Sequence, residues 1–92
     1  MNPEILKQQL RDEGFGHVYE WKDEPNGVYP EHEHKGKVSL FVVSGSVVFS
    51  GDISKTLNSG ERFDVPIAVK HSAVVGPEGC EWIVGEEIEG DS

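Results

Sequence analysis

The residues of this sequence best suited to chemistry are histidines. His32 and His34 stand two apart, and in a strand such residues share one face, about 6.5–7 Å apart along the backbone. Two imidazoles so placed can grip one divalent ion, each nitrogen approaching to about 2.0–2.1 Å. Glu33 turns to the opposite face. A third ligand has to come from elsewhere, and His71 is the candidate, since it stands alone in a second strand-like run, Ile67 to Gly76. Three imidazoles with open positions suit a catalytic metal centre better than a closed structural one. The expected cofactor is one divalent ion at His32, His34 and His71, and this ligand set does not distinguish zinc, iron, nickel, manganese and copper. The sequence assigns no catalytic residue beyond the metal ligands and no organic cofactor. It contains no nucleophile elbow, phosphate loop or recognisable carboxylate pair.

The elements that must position these histidines are short. Residues 2–13 predict a helix: Asn2 fits the N-cap, Pro3 the first helical position, and Glu4 complements the N-terminal dipole. Met1 and Leu6 stand at the positions of a hydrophobic staple. Ile5, Leu6 and Leu10 form its apolar stripe, Lys7, Gln8, Arg11 and Asp12 face water, and Gly14 or Gly16 stops it. From His17 the pattern is β. Runs at 17–21, 28–34, 38–43, 47–50, 53–57, 61–65, 69–75 and 80–84 are rich in β-branched and aromatic residues, with turn signals between them. Eight short strands at close spacing predict a jelly roll or closed barrel. Residues 86–92 read as an acidic tail that frays. His17 reads as an ordinary strand residue. Pro30 shares the parity of His32 and His34, Ala73 and Val75 share that of His71, and Phe41, Phe63 and Trp82 are candidates for the interior.

A chain of 92 residues without repeat or linker predicts one domain, 1–92, with its barrel over about 17–88. The formal net charge of −9 argues against nucleic acid and anionic membrane as partners. Cys80 is the single cysteine, so no internal disulfide can form, and a reducing cytoplasm is expected. The sequence has neither a long apolar segment nor a signal-peptide pattern. So small a barrel, with a helix too short to stand alone, is expected to form a homodimer. Cys80 reads as an inert buried thiol.

Two spaced motifs resemble those of the cupins, small RmlC-like jelly-roll barrels. The first cupin motif runs Gly, five residues, His-x-His, three or four residues, Glu, six residues, Gly. Here Gly27 precedes His32 by four residues, His34 follows, and Gly45 falls on the closing glycine. The second runs Gly, five residues, Pro, one residue, Gly, two residues, His, three residues, Asn. Gly60, Pro66 and His71 match it, while Ala68 replaces its second glycine and Val75 its asparagine. The resemblance covers roughly residues 27–75. It implies an all-β cupin jelly-roll barrel with a short N-terminal helix, and a metal at the three histidines. Val38 stands where the motif places its glutamate, or Ser39 on the longer count, so the carboxylate ligand is missing. Glu31 and Glu33 point away by strand parity, and Glu86 or Glu87 would need an unusual path to reach the site.

Without that carboxylate the ion's dipositive charge is uncompensated by protein, which favours an added anion such as hydroxide, a carboxylate or a chelating enolate. Cupin-like dioxygenases with three histidines and iron are known in the family, so oxygen chemistry stays open. The expected function is a metal-dependent enzyme of dioxygenase, isomerase or lyase type, acting on a small oxygenated molecule. The alternative is a non-catalytic module that binds or senses a small ligand or metal in the same pocket. A relic barrel without metal is a third reading, and fold alone does not choose among them.

Overall fold

Two long antiparallel strands make most of this fold, and each is bent in the middle. The computed structural model of the chain describes residues 2–33 and 36–87. It contains helix α1 (Pro3–Asp12) and strands β1 (His17–Asp23), β2 (Val28–His32), β3 (Val38–Gly51), β4 (Lys55–Asn58), β5 (Arg62–Val65) and β6 (His71–Glu86). β3 and β6 pair along nearly their whole length, from Val38 opposite Glu86 to Gly51 opposite His71.

The ribbon folds over on itself. The N-terminal part of β3 and the C-terminal part of β6 pair with each other, flanked by β5 and β1. The other two halves pair likewise, flanked by β4 and β2. The result is the two facing four-strand layers of a jelly roll, so the all-β barrel with a short N-terminal helix is what the chain forms. Among the described residues eight strand segments are present, but as six strands. The turns expected at 44–46 and 76–79 are instead bends within β3 and β6: Val43 is an extra residue between Val42 and Ser44, and residues 76–79 of β6 stand opposite Ser46 alone. Their glycines and serines serve bulges here, because extra residues on one strand bend and twist it without ending it. Gly45 (φ 82°) and Gly79 (φ 81°) hold left-handed backbone at that bend, and a Cβ on Gly45 would collide with the Gly79 carbonyl.

The space between the layers is filled by alternating inward residues, among them Leu40, Val42, Val47, Phe49, Leu57, Val75, Trp82 and Val84. The outer face of one layer receives α1. Leu10 is fully buried there with Phe41 and Ile83, so Phe41 belongs under the helix and not in the barrel interior. The Asn2 carboxamide oxygen caps α1, accepting from the Glu4 N–H at 2.9 Å and the Ile5 N–H at 3.4 Å. The helix is thus Pro3–Asp12, with Asn2 as cap and Gly14 (φ 104°) just past the end. Ile5 does not join the buried stripe, being 64% exposed, whereas Leu6 packs beside Leu10. Lys7 lies against the barrel and pairs with Glu20 at 2.7 Å and Glu4 at 2.8 Å. Met1, and with it the staple, lies outside the described residues.

No helix among the described residues is long and apolar enough to cross a membrane.

Candidate metal centre and ligand cavity

His32 ends β2 and His71 begins β6, and the two are direct partners across the strands. Their rings meet at 4.4 Å between centroids, tilted by 61°. Phe49 sets its edge against His71 at 5.9 Å from the other side, and His71 is only 1% exposed.

Both imidazoles are oriented in the same way. Nδ1 of His32 lies 2.8 Å from the Pro30 carbonyl oxygen, and Nδ1 of His71 lies 3.0 Å from that of Val69. A carbonyl oxygen only accepts, so Nδ1 carries the proton in each bond, and the lone pair of the neutral ring lies on Nε2. A backbone oxygen behind Nδ1 is a common support for a metal-binding histidine, because it fixes both tautomer and ring direction. The donor set of His32 and His71 therefore fits a divalent ion. His34 lies outside the described residues, and among those residues no group of three or more metal-type side chains assembles.

The two histidines open on a cavity of about 500 Å³ between the layers, within the common size range of small-molecule sites. Its walls are apolar and aromatic: Leu40, Phe49, Ala73, Val84, Trp82 and Tyr29. Val38, at the position of the absent motif glutamate, lines it too. Ser39 faces the other way, its hydroxyl donating to Asp64 at 2.5 Å and accepting from Arg62 Nε at 2.9 Å.

Pro30 does not line the cavity; Tyr29 and His32 do, although they are an odd number of residues apart. The register of β2 against β6 shifts between Tyr29 and His32, which reverses the parity expected from simple alternation. Ala73 and Val75 do follow His71 into the interior.

Three further polar residues on the cavity wall were not singled out by the spacing of the motifs. His17 and Tyr19 on β1 stack at 4.8 Å, and Tyr19 Oη donates to Glu86 Oε2 at 2.7 Å. Burial pushes the Tyr19 hydroxyl well above its usual range, and the Glu86 carboxylate adds to this. Glu86 is the last residue of β6, not the start of a frayed tail. The signal for it was the register: β6 continues through the glycine-rich bend, so its far end returns to the cavity that its first residue lines.

Three aromatic residues of the cavity wall are held by one carboxylate. Asp23 accepts from Trp82 Nε1 at 2.8 Å, from Tyr29 Oη at 2.7 Å and from Trp21 Nε1 at 3.1 Å. Tyr29 is pushed up to about 12 by burial and then by Asp23. Cys80, opposite Asp23 in the β1–β6 register, is buried, and its thiol is pushed up to about 12 by burial and then by the charges of Asp23 and Glu81.

No protein-family model and no curated protein matches the chain. Solved structures do. An RmlC-like cupin from Shewanella frigidimarina superposes with a TM-score of 0.66 at 26% identity, over 80% of this chain and 68% of that one. The polyketide cyclase RemF from Streptomyces resistomycificus superposes at 0.64 with 26% identity, over 75% of this chain and 52% of that one. Oxalate decarboxylase from Bacillus subtilis, a protein with Mn(II) centres, superposes at 0.69 with 18% identity, over 82% of this chain and 22% of that one.

Proposed function

We propose that this chain, which belongs to the cupin superfamily, holds one divalent metal ion through His32, His34 and His71 and uses it on a small oxygenated molecule bound in the barrel. One observation carries the reading. His32 and His71 are strand partners whose Nδ1 atoms both face backbone carbonyls, which puts the lone pair of each neutral ring on Nε2. The motif spacing adds His34 to the pair. The likeness to oxalate decarboxylase, with its Mn(II) centres, supports a metal in such a barrel, and the likeness to a polyketide cyclase supports an enzyme. When bound, the metal would supply Lewis-acid or oxygen-binding chemistry. The chain's own part is to orient the imidazoles, to exclude water with Phe49, Leu40 and Val84, and to present Glu86 and Tyr19 to the ligand.

The test is elemental analysis of protein purified without an affinity tag or added metal, beside the His71→Ala and His17→Ala variants. Near one equivalent of metal, lost with His71→Ala and kept with His17→Ala, supports the assignment. Metal content unchanged in His71→Ala, or none after reconstitution of the wild type, overturns it.

A non-catalytic binding module is the second reading. It is favoured by the short connections at 24–27, 52–54 and 59–61, which give little chain to close over a ligand. Turnover in a substrate screen with the metal-loaded protein would exclude it. For a macromolecular partner the reading is a second copy of this chain. Val28, Val74 and Val48 form a row across β2, β6 and β3, exposed at 69%, 45% and 41%. A monomer by light scattering at high concentration would remove that pairing.

A further inference from the structure

Glu86 is the strand partner of Val38, the residue standing where the cupin motif has its glutamate. Directly opposed residues of an antiparallel pair project to one face with Cβ atoms about 4.5–5.5 Å apart. Both side chains line the cavity that His32 and His71 open on. The carboxylate missing from β3 is therefore present one strand away, displaced from the metal-ligand position by a strand spacing. Tyr19 Oη, donating at 2.7 Å, holds it there, and His17, also on the cavity wall, stacks on Tyr19.

We infer that Glu86 is the ligand-recognition residue of this cavity, and that it selects a hydrogen-bond donor on a flat, apolar ligand whose oxygen atoms meet the metal. This rests on the metal reading above. The chemistry follows from what the pair offers. The Tyr19 hydrogen is already given to Glu86, and an ionised carboxylate has only acceptor positions, so the ligand has to bring a hydroxyl or amine hydrogen. A second anionic group at that end would face Glu86 in a half-enclosed, apolar surrounding, where like charges repel strongly. The body between the two ends meets Leu40, Phe49, Trp82 and Val84, which suits an aromatic or enolic ring. The ligand class is thus a small hydroxyketone, enol or phenol with a neutral hydroxyl or amine tail. Molecules anionic at both ends, such as dicarboxylates, are disfavoured.

Two hydroxypyranones share one chelating head and differ in the tail: kojic acid ends in a hydroxymethyl group, comenic acid in a carboxylate. Their affinities for the metal-loaded protein are measured by calorimetry for wild type, Glu86→Gln and Tyr19→Phe, with metal content read for each. Wild type is expected to favour kojic acid by at least about tenfold, the scale of one hydrogen bond to a charged group. Glu86→Gln should abolish that preference with metal content unchanged. Tyr19→Phe, which keeps the carboxylate, should retain it, so the inference stays testable if either variant folds poorly. Equal affinities in metal-loaded wild type, or a preference that survives Glu86→Gln, overturn the inference alone. Loss of metal in Glu86→Gln also overturns it, since Glu86 would then be a metal ligand. A wild type that takes up no metal overturns the metal reading instead.

Discussion

Arg62 grips Glu13 through both terminal nitrogens, Nη1 to Oε2 at 2.8 Å and Nη2 to Oε1 at 2.6 Å, and so ties the end of α1 to β5. The guanidinium holds the Glu13 carboxyl down at about 2, and the Ser39 hydroxyl, with the guanidinium second, depresses Asp64. A carboxyl whose folded pKa lies below its unfolded one stabilises the fold above the unfolded value, and that contribution fades as pH falls through the folded value. Glu13→Gln is therefore expected to lower Tm at neutral pH. The gap to wild type should close between about pH 4.5 and about pH 2, read from thermal melts across that range. A gap independent of pH would show that the ion pair is not its source.

Ala68 replaces the second glycine of the second motif, and it holds left-handed backbone at φ 61°. A Cβ in that region costs roughly 1–2 kcal/mol, against roughly 0.5–1 kcal/mol of extra chain entropy lost by glycine. Ala68→Gly is expected to stabilise the protein by up to about 1 kcal/mol, measured by urea unfolding. Metal content should not change, since His71 is oriented by Val69 and Phe49.

The histidine spacing and the β runs carry most of the architecture, because period-two alternation and glycine-rich breaks are local properties of a chain. What they do not carry is continuity. Gly45 and Gly79 read as turns in sequence, yet each lies within a strand, because the neighbouring strand supplies hydrogen bonds on both sides of the bulge. The same non-local fact hides Glu86: its placement depends on where a sixteen-residue strand ends up after bending, which no local pattern encodes. Tyr29 was missed for a smaller reason, one register shift in β2. His71 and Trp82 were legible because their strand segments alternate regularly.

Gly45→Ala and Gly14→Ala separate steric from conformational cost. Both glycines have positive φ, but a Cβ at Gly14 meets nothing within 4 Å, whereas at Gly45 it meets the backbone of Gly79 and Cys80. Gly14→Ala should cost up to about 1 kcal/mol, the left-handed Cβ cost less the chain entropy that glycine loses. Gly45→Ala should cost clearly more, because two backbones have to move apart, and chemical denaturation of the two variants gives the comparison directly.

Asp23 satisfies Trp82, Tyr29 and Trp21 together. Asp23→Ala leaves the buried Trp82 Nε1 without that acceptor, at a cost of about 1–3 kcal/mol, and should shift the tryptophan emission. Asp23→Asn keeps one acceptor oxygen and should cost less. Urea unfolding followed by fluorescence tests both.

The raised Cys80 thiol predicts a further contrast. Native protein near neutral pH should react with a thiol reagent only at its rate of opening, and urea-unfolded protein at once. Rapid labelling of the native state would mean that the β1–β6 pairing around Cys80 opens readily.

The folded-over ribbon of β3 and β6 also sets an order of assembly. Gly51 and His71 are its nearest partners along the chain, and Val38 and Glu86 its farthest. Loop closure costs least at the near end and more with each added residue enclosed. Loop closure therefore favours pairing that starts beside His71 and ends at Glu86, so the His32–His71 side of the cavity is expected to form before the Glu86 side. Among sheet-rich proteins such non-local pairing is slow. In this chain the pairing of Val38 with Glu86, the most non-local of the ribbon, is expected to form last.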